Sequence, residues 1–91
     1  MKTDDICKRY APKHVGLTLK LLEEDDGNEP STLLVEGTDS ALKMLAELLI
    51  AVAEEKENDG FSISPVGAGS VHFSRSATLG IYIHRLDDST S

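Results

Sequence analysis

The chain has few of the residues that build large cores or covalent cross-links. Its 91 residues include no tryptophan, two tyrosines, two phenylalanines and one cysteine. Cys7 therefore has no disulfide partner within the chain, which fits a reducing compartment. A chain of this length has room for one domain with a modest core, and with so few aromatic residues that core must be mainly aliphatic.

Long apolar runs and positive charge are also scarce. The most apolar stretch is interrupted by Lys43 and Glu47, and no charged-then-apolar leader opens the chain. We therefore expect a cytoplasmic protein that neither spans nor binds a membrane. The formal net charge of −7 argues against a nucleic-acid partner, because displacing counterions from phosphates needs a basic surface. An acidic chain is instead suited to attract a basic protein.

Residues 38–58 predict one long amphipathic helix. Thr38 or Asp39 can cap its first turn, and the sequence 58–60 (Asn-Asp-Gly) can end it. The residues expected to be buried recur at three- and four-residue spacing: Leu42, Leu45, Leu48, Leu49, Val52 and Ala53.

The apolar arc of this helix is wider than one sheet contact requires. Met44, Ile50 and Ala51 extend it around both sides of a narrow polar wedge. These three residues are either exposed helix formers, which are ordinary on protein surfaces, or the contact with a second subunit. They are therefore the candidate oligomer contact, in a possible homodimer.

Alternating apolar and polar residues predict strands on both sides of the helix. The strands are expected at residues 15–22 and 32–36 before it, and at 71–74 and 78–86 after it. Residues 61–64 also alternate, and the pattern leaves open whether they form a separate strand. We therefore expect an α+β fold in ββαββ order, with a single layer of about four mainly antiparallel strands and the helix packed on one face. The residues expected to face the helix include Leu17, Leu19, Leu21, Leu33, Val35, Ile63, Val71, Phe73, Leu79, Ile81 and Ile83.

Three segments complete this organisation. Residues 1–14 are expected to form an extended N-terminal arm, because Pro12 disfavours helix at Ala11, followed by a single α+β domain at 15–86 and a frayed tail at 87–91. The acidic run at 23–30 suits a solvated loop or a calcium site, although it lacks the alternating ligands of an EF-hand.

One helix covers only one face of such a sheet, so the other face is a candidate for binding a protein. Its mixture of hydroxyl, imidazole, phenol, charged and aliphatic groups is typical of a partly wet interface. An ordinary solvent-facing sheet surface is the alternative. The candidate partner-binding residues are Thr18, Lys20, Leu34, Glu36, His72, Tyr82 and His84.

Catalysis and metal binding find little support in the residue pattern. A tight turn at residues 75–77 would place His72 opposite Gly80 and about 13 Å from His84, at the usual rise per strand residue. That distance is too long for two ligands of one metal. The chain also lacks the Gly-x-Ser-x-Gly and His-Glu-x-x-His motifs. We therefore expect no enzyme activity, no metal and no cofactor.

Several segments together resemble a family of small predicted immunity proteins from bacterial polymorphic toxin systems. They are the run Leu-Leu-Val-Glu-Gly at 33–37, the run Leu-Ala-Glu-Leu-Leu at 45–49, Phe61, and the closing run Ile-Tyr-Ile-His-Arg at 81–85. The resemblance covers residues 15–86. It implies a protein that binds and neutralises a toxin domain, and it brings no catalytic motif with it.

The leading hypothesis is thus a non-catalytic protein-binding module, an immunity-like inhibitor that meets a basic toxin domain through an acidic surface and the open sheet face. The acidic stretches at 23–26 and 54–59 would speed the encounter by long-range attraction. The alternative is a homo-oligomeric structural or regulatory module, for which the wide apolar arc of the helix is the main indication.

Overall fold

The computed structural model describes residues 2–22, 32–56 and 60–86, where the chain forms two α-helices and four strands. The α+β class is thereby confirmed. The predicted acidic loop at 23–30, the Asn-Asp pair of the predicted helix end and the predicted tail at 87–91 lie outside the described residues. The elements are α1 (Thr3–Tyr10), β1 (Thr18–Leu22), β2 (Thr32–Glu36), α2 (Asp39–Glu54), β3 (Gly60–Ile63) and β4 (Ile81–His84).

The predicted extended arm is instead helix α1, so that prediction was wrong. Asp4 and Asp5 lie in its first turn and Lys8 and Arg9 in its last, a charge order that complements the helix dipole. Pro12 does not prevent this helix, because α1 ends at Tyr10 and Pro12 falls in a 3₁₀ turn, Ala11–Lys13.

The strands form two antiparallel pairs, β1 with β2 and β3 with β4, where the sequence predicts one layer. Hydrogen bonds link β1 to the segment that precedes β4. The Leu17 N–H donates to the His72 carbonyl at 2.8 Å, and the Leu19 carbonyl accepts from Thr78 and Leu79 at 3.1 and 3.0 Å. The two sheets are therefore joined through backbone bonds to one edge of β1.

Residues 71–74 do not form the predicted strand. Residues 70–72 make a 3₁₀ turn, and Phe73 makes a single parallel bridge to Leu17. The turn at 75–76 therefore does not create a hairpin, and β4 pairs with β3 rather than with residues 71–74. Alternation could not reveal this, because a single bridged residue and a full strand have the same local pattern.

Thr38 caps α2 as predicted, and it also ties the helix to the chain before β1. Its hydroxyl oxygen accepts from the Ala41 N–H at 3.2 Å and donates to the Val15 carbonyl at 3.0 Å. Gly37, between β2 and Thr38, allows the tight connection, since a Cβ there would lie 2.6 Å from the Cβ of Ala41.

The buried face of α2 is rotated from the predicted one. Leu45, Leu48 and Val52 are buried as expected, together with Ala41, Met44 and Ala51. Leu42 and Leu49, predicted to be buried, are 46% and 47% exposed, and Ala53 is also exposed. The rotation follows from the position of α1, which packs against α2 and supplies Ile6 and Tyr10 to the same core cluster as Met44 and Ala51.

The core is a single aliphatic cluster with one aromatic member, as the composition suggests. It joins both helices to β1 and β3 through Ile6, Tyr10, Val15, Leu17, Leu19, Ala41, Met44, Leu48, Ala51 and Ile63. Phe61, Phe73, Leu79, Ile81 and Ile83 are partly buried against it. The predicted inward residues Leu21, Leu33, Val35 and Val71 are exposed, so the core does not extend under the outer half of the β1–β2 pair.

Arg85, the residue that follows β4, caps the C-terminal end of α2. Its Nη1 donates to the carbonyls of Val52 and Glu55 at 2.6 and 2.7 Å, and its Nη2 to that of Lys56 at 3.4 Å. Helix ends leave carbonyls without intrahelical partners, and a cation there also suits the dipole. One side chain thus attaches the end of β4 to α2.

We expect Arg85→Met to lower the free energy of unfolding by about 1.5–3 kcal/mol, the usual range for hydrogen bonds to a charged group. Urea denaturation followed by circular dichroism measures the change. Arg75→Met is the matched control, since Arg75 is exposed in a turn and its loss should cost less than about 0.5 kcal/mol. Equal effects of the two substitutions would contradict a capping role for Arg85.

Candidate protein-binding surface

The predicted open face of the sheet is only partly open. Thr18 and His72, both predicted to face outward, are buried. The Thr18 hydroxyl forms a hydrogen bond with the Ser74 hydroxyl, because the segment after His72 runs alongside β1 and covers it. Both residues are therefore covered by the chain's own fold, and the prediction that they face outward was wrong.

His72 is buried with an unsatisfied ring nitrogen. Its side chain is 2% exposed, and its Nδ1 has no hydrogen-bond partner within the described residues. Burial lowers the pKa of the imidazole from its ordinary value, because a charged ring would lose its hydration. His72 is thus a neutral structural residue on the loop that joins the two sheets.

Besides Thr18, three of the predicted residues lie on the β1–β2 pair. Lys20 and Leu34 are partners in the strand register and are half-buried, and Glu36 is exposed opposite Thr18. Their side chains lie on one face, since residues two apart on a strand point the same way. This half of the predicted surface is polar at its edges and aliphatic at Leu34.

Tyr82 and His84 form an exposed aromatic pair on β4. Tyr82 is 68% exposed, and the two rings stack with centroids 6.0 Å apart and planes 23° from parallel. Gly60 lies beneath them, opposite His84 in the register, and a Cβ on Gly60 would lie 3.0 Å from the Tyr82 hydroxyl. The glycine therefore allows the rings to lie against the strand β3 backbone, where they present a flat surface to solvent.

The three residues of the predicted oligomer contact do not share one environment. Met44 and Ala51 are buried inside the monomer, whereas Ile50 is 55% exposed. Met44 and Ala51 belong to the same core cluster as Ile6 and Tyr10 of α1, so two of the three residues are already buried within the monomer.

Glu47 is the polar anchor of the α1–α2 contact. Its two carboxylate oxygens accept hydrogen bonds from the Arg9 guanidinium and the Tyr10 hydroxyl. The bond from Tyr10, and then that from Arg9, lowers the pKa of the Glu47 carboxyl. Arg9 and Lys13 both lie over the Tyr10 ring, 5.3 and 4.9 Å from its centroid.

A small cavity opens beside this anchor. Its volume is about 140 Å³, and it is lined by Ile6, Glu47, Ile50, Ala51, Glu54 and Glu55. That is below the range of about 300–1,000 Å³ typical of sites for drug-sized ligands. The cavity therefore suits a single side chain better than a cofactor.

A second exposed apolar surface runs along α2. At 100° per residue, the members of this α2 stripe occupy one continuous arc of the helix, with Ile50 at the edge nearest α1. The stripe consists of Leu42, Ala46, Leu49, Ile50 and Ala53, all exposed. Contiguous apolar surface of this kind is typical of contact sites.

Within residues 2–22, 32–56 and 60–86, no group of three or more His, Cys, Asp or Glu side chains is arranged to hold a metal ion. None of the helices described there has the length and apolar character needed to cross a membrane. Comparison with known proteins found no matching family model, curated protein or solved structure.

Sequence reasoning missed α1 and the cap at Arg85. The α1 helix does have a signal, since Thr3, Ile6 and Tyr10 follow helical spacing between acidic and basic ends. No comparable signal exists for Arg85, because its acceptors lie about 30 residues away in the chain. That contact exists only once β4 and α2 are packed.

The burial of His72 predicts a pH dependence of stability. Because its pKa is lower in the folded state, the unfolded state binds the proton more tightly, and stability falls as the pH drops below about 6.5. We expect His72→Gln to flatten the decline between pH 7 and 5 by up to about 1.4 kcal/mol per pH unit. His84→Gln, which removes an exposed histidine, is the matched control. Urea denaturation at a series of pH values measures both, and an unchanged slope in His72→Gln would contradict the assignment.

Proposed function

We propose that the chain is a non-catalytic protein-binding module, an immunity-like inhibitor that binds and neutralises a cognate bacterial toxin domain. The observation that carries the proposal is the exposed Tyr82–His84 pair. The resemblance of residues 15–86 to small immunity proteins supports the choice of a toxin domain as the partner.

Tyr82 has the properties of an interface anchor. Tyrosine offers a large apolar area and a polar tip at low conformational cost, and it is among the residues that contribute most to binding energy at interfaces. Stacking on His84 and contact with Gly60 hold the Tyr82 ring before a partner arrives, which reduces the entropy lost on binding.

Lys20, Leu34 and Glu36 would form the more polar part of the same contact. For all these residues to meet one partner, the two sheets must form one layer, with α2 on the face opposite the partner. The backbone bonds that link residues 17–19 to residues 72–79 support this arrangement. A central aromatic anchor with a polar surround is the usual composition of a specific interface.

The charge distribution supports a basic partner. Nine of the sixteen acidic residues lie in the segments 23–31, 57–59 and 87–91, whereas all nine lysines and arginines lie in the described residues. Long-range attraction of a basic toxin domain would therefore come from these three segments, and the near-neutral body would supply the close contact.

The test pairs the chain with a toxin domain encoded by a neighbouring gene. We expect co-expression of the wild-type chain to restore growth, and Tyr82→Ala to weaken binding by roughly 30-fold or about 2 kcal/mol, as at interface hot spots. Isothermal titration calorimetry measures the affinity. Val66→Ala, at a fully exposed position elsewhere, should bind as the wild type does. Growth arrest despite co-expression, or unchanged affinity in Tyr82→Ala, would reject the proposal.

The α2 stripe favours a second candidate, a homo-oligomeric module. Leu42, Leu49 and Ile50 are each about half exposed, and a two-fold contact between copies would cover them. We expect Leu49→Glu to convert a dimer to a monomer in sedimentation velocity, because it places a charge in the middle of the contact. Ser76→Glu, which adds the same charge in an exposed turn, is the control. A wild-type chain that sediments as a monomer at all concentrations would exclude this candidate.

A further inference from the structure

Helix α1 is attached to the rest of the molecule mainly through α2. Its contacts with other elements are chiefly with α2 and with the 3₁₀ turn that follows it. Only one side of the helix is buried, through Thr3, Ile6 and Tyr10. An eight-residue helix is too short to be stable in water without such packing, so its order depends on that one contact.

Along the chain, the change from the exposed joint after α1 to the firmly held start of the sheet is abrupt. Val15 is buried and its carbonyl is held by Thr38, and the Leu17 N–H is held by the His72 carbonyl. Pro12, Lys13 and His14, just before that point, are exposed.

His14 adopts a left-handed conformation, with φ 47° and ψ 62°. This conformation is unfavourable for a residue with a side chain relative to the right-handed region. The closed position of α1 therefore carries local strain at the joint, and opening there releases it.

From these observations we infer that residues 2–14 act as a latch, which opens as a unit about His14 while the core of residues 15–86 stays folded. Glu47 of α2 keeps this latch closed, because its carboxylate accepts hydrogen bonds from both Arg9 and Tyr10 of α1. The contact buries three residues of α1, Thr3, Ile6 and Tyr10, and its ion pair is partly exposed, so opening costs less than unfolding the core.

Opening changes the surface of α2. It uncovers Met44 and Ala51, which lie in the same helical arc as Glu47 and flank it. The open form thus offers a second apolar flank in addition to the α2 stripe, and the bonds of Glu47 to Arg9 and Tyr10 help to keep that flank covered.

Native-state hydrogen exchange, resolved by residue with NMR at low urea concentrations, tests the latch. We expect the amides of residues 6–10 to exchange at least tenfold faster than those of Leu48 and Val52 in α2, with a weaker dependence on urea. Local opening exposes little surface, and the urea dependence scales with the surface exposed.

Glu47→Gln should speed exchange of residues 6–10 by a further tenfold or more and change the α2 amides less than twofold. Glu36→Gln removes the same charge from exposed β2 and should alter neither set. Cys7 gives an independent readout, since it is the one cysteine of the chain and packs partly against the core from α1. Its labelling by a thiol reagent should accelerate in Glu47→Gln and not in Glu36→Gln.

The latch is rejected if the α1 and α2 amides of the wild type share one exchange rate and one urea dependence, because α1 would then open only by global unfolding. It is also rejected if Glu47→Gln accelerates both sets equally. The wild-type comparison needs no variant, so the test holds even if Glu47→Gln folds poorly.

Discussion

The packing of α1 against α2 is the contact on which the arrangement of the molecule depends. An isolated amphipathic helix on a small sheet would bury the middle of its apolar arc. Here α1 covers one flank of α2, so α2 buries Met44 and Ala51 and leaves Leu42 and Leu49 in solvent. The same contact therefore completes the core on one side and creates an apolar surface on the other.

The polar part of this contact is concentrated at Glu47. Removing a carboxylate that holds two partners leaves both without their acceptor, while the apolar part of the contact, Ile6 against the core cluster, is unchanged. Stability of the core and attachment of α1 are thus partly separable properties. Arg85 is the corresponding polar tie at the other end of α2, where it joins that helix to β4.

Two exposed surfaces follow from this arrangement, and they have different chemistry. The Tyr82–His84 pair is a small, exposed aromatic surface on β4, and it carries the proposed contact with a protein partner. The α2 stripe is longer and purely aliphatic, suited to a contact between like surfaces. A protein partner at the first and a second copy at the second are compatible with each other, because the two surfaces share no residue.

The sequence by itself determined the α+β class, the position of α2, its cap at Thr38, and the strand at 32–36, since these rest on local periodicity and on hydrogen bonds between residues close in the chain. Only the tertiary structure decided which side of α2 is buried, that residues 71–74 form no strand, that Thr18 and His72 are covered, and that Arg85 caps α2. The physical reason is that burial depends on what lies opposite a residue. For Met44, Ala51 and His72 that neighbour comes from a distant part of the chain, and periodicity along the chain carries no information about it.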